Sequence, residues 1–208
     1  MLANYHADNI PTRFSHPLVD EAKDSLMNAV SYLDAKERAD VLRACHFGDM
    51  AHIKDKRKSG EPYITHPIAV AEILAGFLLD RDSIIAAILH DTVEDTEVTD
   101  ELVASEFGET VARLVDGVTK LKSGNMSKQQ SQAATFHKIL NATLIDPRVL
   151  IIKLSDRLHN MSTMDAVREE KQKSTARETL DFYVPFARIM GLNDIADYIE
   201  LLCYRNLN

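Results

Sequence analysis

Tryptophan is absent from this chain, and cysteine occurs only twice, at Cys45 and Cys203. Two thiols so far apart supply neither a disulfide framework nor the close spacing of a zinc knuckle, so both read as core thiols. Glycine and proline are scarce as well, seven and six in 208 residues, about half the share of an average soluble protein. Few turns can follow, which excludes a sandwich of many short strands and favours long helices. Long apolar runs are also missing. The longest are Ile84 to Leu89 and Val149 to Ile152, far short of the ~20 residues a membrane-spanning helix requires. The first sixteen residues include His6, Asp8 and His16 and no continuous apolar core, unlike a secretory signal. A reducing cytoplasm is therefore the expected compartment, with no membrane partner.

Positive charge is in deficit, with 24 Lys and Arg against 32 Asp and Glu, a net −8 at neutral pH. Such a surface repels phosphate backbones at long range, so DNA is not an expected partner. An anionic ligand must be captured locally. The one dense basic cluster is Lys54-Asp55-Lys56-Arg57-Lys58-Ser59-Gly60-Glu61-Pro62, whose charge, glycine and proline mark an exposed loop. It can attract phosphate, or it can simply be a solvated loop.

What is present is helical periodicity. Apolar residues recur at helical spacing from Pro17 to Phe47, with a break near Asp34. His66-Pro67 opens a segment running to Leu79, where Pro67 suits a first helical turn. Asp82 or Ser83 is expected to cap the next helix, whose run Ile84 to Leu89 is apolar on every side and must be surrounded by protein. Asp100 to Phe107 with Gly108 as a stop, Thr110 to Leu121, Phe136 to Leu144, Val149 to Thr163, Lys171 to Met190 bent at Pro185, and Asp194 to Leu202 complete an all-α reading. The block Val149 to Ile152 could pass for a strand, but it has no partner strand. One domain over 1–208 is expected, with 1–16 poorly ordered and 122–132 a mobile loop. The last helix stops without an evident cap or charged tail, so the chain reads as the front part of a longer protein.

The apolar run delivers His90-Asp91-Thr92-Val93-Glu94-Asp95. On a continuous helix, His90, Asp91, Glu94 and Asp95 share one arc, with His90 paired to Glu94 and Asp91 to Asp95 at i,i+4. Three carboxylates there repel one another and are costly to desolvate, a cost that a bound cation removes. The alternative is a solvated acidic helix end, which the preceding apolar run disfavours. Asp156, Asn160 and Thr163 lie nearly in line on a second helix. His66, His90, Asp91 and Asp156 together would form a mixed nitrogen and oxygen set suited to Mn²⁺, Fe²⁺ or Zn²⁺, with positions left for water.

Five segments then acquire a common meaning. They are Arg57 to Pro67 (RKSGEPYITHP), Leu89 to Thr96 (LHDTVEDT), Asp116 to Leu121 (DGVTKL), Ile152 to Met161 (IKLSDRLHNM) and Ala176 to Leu180 (ARETL). In this order the chain resembles the N-terminal hydrolase region of RelA/SpoT-type alarmone enzymes, within the HD phosphohydrolase superfamily. The resemblance implies an HD-domain helical bundle in which His66, His90, Asp91 and Asp156 hold one divalent metal, usually manganese. It implies removal of the 3′-pyrophosphate of ppGpp and pppGpp, giving GDP or GTP and pyrophosphate, in the stringent response. Glu94 and Asp95 would orient the attacking water and manage its proton. Arg57, Lys58 and Ser59 would line the guanine side of the pocket, with Asn160 and Thr163 reaching the nucleoside.

The match Tyr204-Arg205-Asn206 leans toward a region excised from a chain with C-terminal synthetase and regulatory domains. Departures from the family pattern are Ser162 in place of an arginine, Ala134-Thr135-Phe136-His137-Lys138 in place of Glu-Asn-Phe-Arg-Lys, and Lys54-Asp55 in place of Gly-Gln. None removes a proposed ligand. Two competing readings are a catalytically silent alarmone sensor and an HD phosphodiesterase acting on another nucleotide.

Overall fold

The computed structural model describes residues 16–121, 124 and 126–207. It is an all-α bundle, as expected, and no strand is found among the described residues. In chain order the helices are α1 (Pro17–Ala29), α2 (Ala35–Ala51), α3 (Thr65–Gly76), α4 (Arg81–Leu89), α5 (Thr92–Asp95), α6 (Asp100–Phe107), α7 (Glu109–Val118), α8 (Lys128–Ile145), α9 (Arg148–Ser162), α10 (Glu169–Glu178), α11 (Val184–Ile189) and α12 (Asn193–Leu207).

The hub is α4. Every residue from Ser83 to Leu89 is buried, and the helix packs against α2, α3, α7 and α9. This is what a run apolar on all sides demands, since each Ile or Leu side chain moved out of water is worth about 1.5–3 kcal/mol. Asp80 caps α4, its Oδ1 accepting from Ser83 N at 3.0 Å, and this corrects the expected cap at Asp82 or Ser83. Capping at Asp80 places Ser83 inside the first turn, where its buried hydroxyl also donates to Asp80. Asp82 instead pairs with Arg81.

The second framework helix is α9, packed on α3, α4, α7, α8 and α12. Its close approach to α7 requires Gly117, because a Cβ there would come within 2.8 Å of Val149 Cγ2. Past α9, the expected helix from Lys171 to Met190 is interrupted by a π-helical turn at Thr179–Tyr183, just before Pro185. A wide turn accommodates the missing proline N–H, and it leaves Tyr183 beneath the Arg157 guanidinium, 4.3 Å from the ring centre.

Two loop readings change. His16, expected within the poorly ordered start, accepts from Leu18 N as the cap of α1, while residues 1–15 lie outside those described. Of the expected mobile loop 122–132, positions 122, 123 and 125 lie outside the described residues, and α8 already begins at Lys128 behind a capping box made by Ser127 and Gln130. The two cysteines are unpaired and buried. No helix among the described residues is long and apolar enough to cross a membrane.

Candidate active site

The histidines and carboxylates singled out in the sequence meet where α3, α4 and α9 converge. His66 stands in the first turn of α3, His90 and Asp91 follow the end of α4, and Asp156 lies mid-way along α9. His66, His90 and Asp156 are buried, and each offers a ligand atom within 4.8 Å of the others. His66 Nε2 is 3.3 Å and His90 Nε2 3.7 Å from Asp156 Oδ1. Asp91 Oδ2 flanks this group, 3.1 Å from His90 Nε2 and 3.9 Å from His66 Nε2.

Local structure corrects one expectation. His90 to Asp95 do not form a continuous helix: α4 stops at Leu89, Asp91 sits at φ −98° and ψ −8°, and α5 starts anew at Thr92. The buried Thr92 hydroxyl donates to the Leu89 carbonyl at 2.7 Å, marking the break. The single arc and its i,i+4 side-chain pairs therefore do not form. His90 and Asp91 face the buried cluster, while Glu94 turns to Lys120, accepting from its Nζ at 2.7 Å and its backbone N at 3.2 Å.

All the predicted site residues except His90 line one cavity of about 580 Å³, a volume typical of small-molecule sites. Arg57, Lys58 and Ser59 reach it from the basic loop, which is closed by Arg57 N donating to Glu61 O at 2.9 Å and by Gly60 at φ +95°. The positive φ is a conformation that glycine adopts without strain. Across the cavity, the Arg57 guanidinium donates to Thr163 Oγ1 at 3.1 Å. Asn160 Nδ2 donates to Asp156 Oδ1 at 2.6 Å, so Asn160 also steadies the proposed ligand.

The electrostatics follow from burying anions beside imidazoles. Burial disfavours the His90 imidazolium, but Asp91 and Asp156 outweigh it and raise the pKa to about 10. Asp156 is held well below the usual carboxylate range against the cost of its burial, first by the Lys153 ammonium and then by His66 and His90. Lys153 Nζ donates to Asp156 Oδ2 at 2.9 Å, both groups being buried. Asp95 is pushed up by burial and by the Asp91 and Glu94 charges.

The donor set fits a divalent cation. His90 Nδ1 is fixed 2.7 Å from the Ala87 carbonyl, so when a cation takes the place of the second ring proton, the remaining hydrogen stays on Nδ1 and Nε2 presents its lone pair. That Nε2 is buried and lacks a properly aligned hydrogen-bond partner. Bare imidazole nitrogens beside carboxylate oxygens are borderline ligands of the kind that Mn²⁺, Fe²⁺ and Zn²⁺ accept.

Four residues in or beside the cavity escaped the sequence reading of the site. Tyr63 donates to Asp91 Oδ2 at 2.6 Å, Lys153 neutralises Asp156, Lys120 holds Glu94, and His159 Nδ1 lies 2.8 Å from His66 Nδ1. A signal existed for two of them: Lys153 and His159 stand three residues before and after Asp156, hence on its face of the helix. A lysine within an apolar run also implies a buried counter-ion.

The sequence profile of the HD domain family matches residues 44–193, and the chain belongs to that family. It is 45% identical over 168 residues to an Aquifex aeolicus protein named guanosine-3′,5′-bis(diphosphate) 3′-pyrophosphohydrolase, a match covering 81% of this chain and 24% of that one. It is 49% identical over 164 residues to a Streptomyces coelicolor protein named GTP pyrophosphokinase, covering 79% of this chain and 19% of that one. The chain thus spans a quarter or less of the length of these relatives. A solved structure described as a metazoan ortholog of SpoT that hydrolyzes ppGpp superimposes with a TM-score of 0.64 at 26% identity, over 85% of this chain and 96% of that one. The resemblance to RelA/SpoT-type hydrolase regions is borne out.

Proposed function

We propose that this chain is a metal-dependent 3′-pyrophosphohydrolase of ppGpp and pppGpp, acting in the cytoplasm and yielding GDP or GTP and pyrophosphate. The observation that carries this reading is the convergence of His66, His90, Asp91 and Asp156 at one end of a cavity whose walls bear Arg57, Lys58 and Lys120. The names of the relatives favour the substrate.

His66, His90, Asp91 and Asp156 would hold one divalent ion, manganese in our reading, whose Lewis acidity would activate water and offset charge on the phosphoryl oxygens. Glu94 and Asp95 orient the attacking water. Asp95, whose carboxyl is pushed upward, is suited to receive its proton. Attack on the 3′-linked phosphorus breaks the bond to the ribose O3′, which leaves with a proton as the 3′-hydroxyl. Arg57 and Lys58 pair with the anionic nucleotide by charge-assisted hydrogen bonds, Ser59 lines the guanine side, and Asn160 and Thr163 contact the nucleoside. Lys153 compensates Asp156 from behind.

The matched lengths are consistent with synthetase and regulatory domains in the full-length protein. The deciding experiment measures pyrophosphate release from ppGpp after chelator treatment, with and without added Mn²⁺. Metal-restored release supports the proposal. Binding of ppGpp without release identifies a silent sensor, and preferential cleavage of a cyclic dinucleotide or a dNTP identifies another HD phosphodiesterase.

A further inference from the structure

His66 and His90 must each present an unprotonated Nε2 to serve the ligand set, and the fold fixes the two rings differently. For His90 the means is main-chain: Nδ1 faces the Ala87 carbonyl at 2.7 Å. No side-chain substitution removes that acceptor. His66 Nδ1 faces no carbonyl. Its partner is the Nδ1 of His159, 2.8 Å away, with ring centres 4.8 Å apart.

Two imidazole nitrogens at that separation share one proton. Two N–H groups would collide, and two lone pairs would repel. If the proton belongs to His66, its Nε2 carries a lone pair toward Asp156 Oδ1 at 3.3 Å and Asp91 Oδ2 at 3.9 Å. If it belongs to His159, His66 Nε2 carries the hydrogen and cannot ligate. Asp156 then merely accepts from it.

We propose that His159 is a positioning residue that accepts the Nδ1 proton of His66, holding His66 in the tautomer whose Nε2 binds the metal. This rests on the assignment of His66 as a ligand in the proposed hydrolase. His159 is well placed for the task. It lies one turn along α9 from Asp156, so one helix supplies both a ligand and the group that orients another. A ligand histidine whose second nitrogen is bonded to a side chain or carbonyl is a recurrent arrangement, and losing that partner costs 10–100-fold in metal affinity or activity.

The test uses the whole 208-residue chain, labelled with ¹⁵N in histidine. Long-range ¹H–¹⁵N spectra of the metal-free wild type are expected to show His66 protonated at Nδ1 and bare at Nε2; protonation at Nε2 overturns the proposal without recourse to any variant. In titrations with Mn²⁺ alone, His159→Phe is expected to bind at least tenfold more weakly. His159→Asn, whose amide oxygen can accept the same proton, is expected to recover much of that loss. Unchanged Mn²⁺ affinity in a folded His159→Phe overturns the proposal, as does His66→Ala binding Mn²⁺ like wild type. A wild type with the expected tautomer and affinities that releases no pyrophosphate from ppGpp upholds the role of His159 and removes the hydrolase reading.

Discussion

The two ends of the cavity are built by opposite means. At the metal end, His66, His90 and Asp156 are buried on or beside helices that pack around α4, and a neighbour holds each of them: His159 meets His66 Nδ1, Ala87 O meets His90 Nδ1, and Lys153 and Asn160 bond Asp156. At the basic end, Lys58 and Ser59 are exposed, and Arg57 is held by the loop hydrogen bonds and by Thr163. Charges in water are screened and adjustable, whereas buried charges are strong but must be individually compensated. Preorganised chemistry therefore belongs at the buried end, and capture of a flexible polyanion at the exposed one.

The sharpest way to break this contrast is Asp156→Ala, which removes a ligand and strands the buried Lys153. We expect pyrophosphate release to fall by more than about 100-fold, and chemical denaturation to show a loss of about 3–5 kcal/mol, the cost typical of an orphaned buried charge. Glu94→Gln tests the middle of the cavity. It should lower kcat by about 10²–10⁴, as for loss of a general acid–base group, with the denaturation midpoint nearly unchanged. Arg57→Ala at the open end should raise KM about tenfold with kcat within a few-fold, the worth of one or two charge-assisted hydrogen bonds; a collapse of kcat would instead put Arg57 at the reacting phosphorus. The smallest effect on stability is expected for Lys120→Ala. Its ammonium is half exposed, so the ion pair with Glu94 should contribute less than about 1 kcal/mol to stability, read from the same denaturation curves.

The helices around the site were legible because their cues are local. The run Ile84 to Leu89, the break at Asp34 and the stop at Gly108 each depend on residues within one or two turns. The α4–α5 break was hidden because the helical pattern continues through His90 and Asp91, and it took the Thr92 hydroxyl on Leu89 O to reveal it. Asp80 was missed as a cap because three candidate caps crowd four positions, and only burial of Ser83 distinguishes among them. The grouping of His66, His90, Asp91 and Asp156 was readable from residue type and from family resemblance. Their orienting partners were not, since Tyr63 and His159 act across pairs far apart in sequence.

By itself the sequence determined which stretches become helices, which helix must be central, and which side chains could bind a cation, because propensity, capping and apolar periodicity act over a few residues. Tertiary structure alone decided which nitrogen of each histidine faces the carboxylates, that Glu94 turns away to Lys120, and that Lys153 neutralises Asp156 behind the site. Those outcomes depend on ångström-scale distances between elements and on the low dielectric of the packed interior, and neither exists until the helices have assembled.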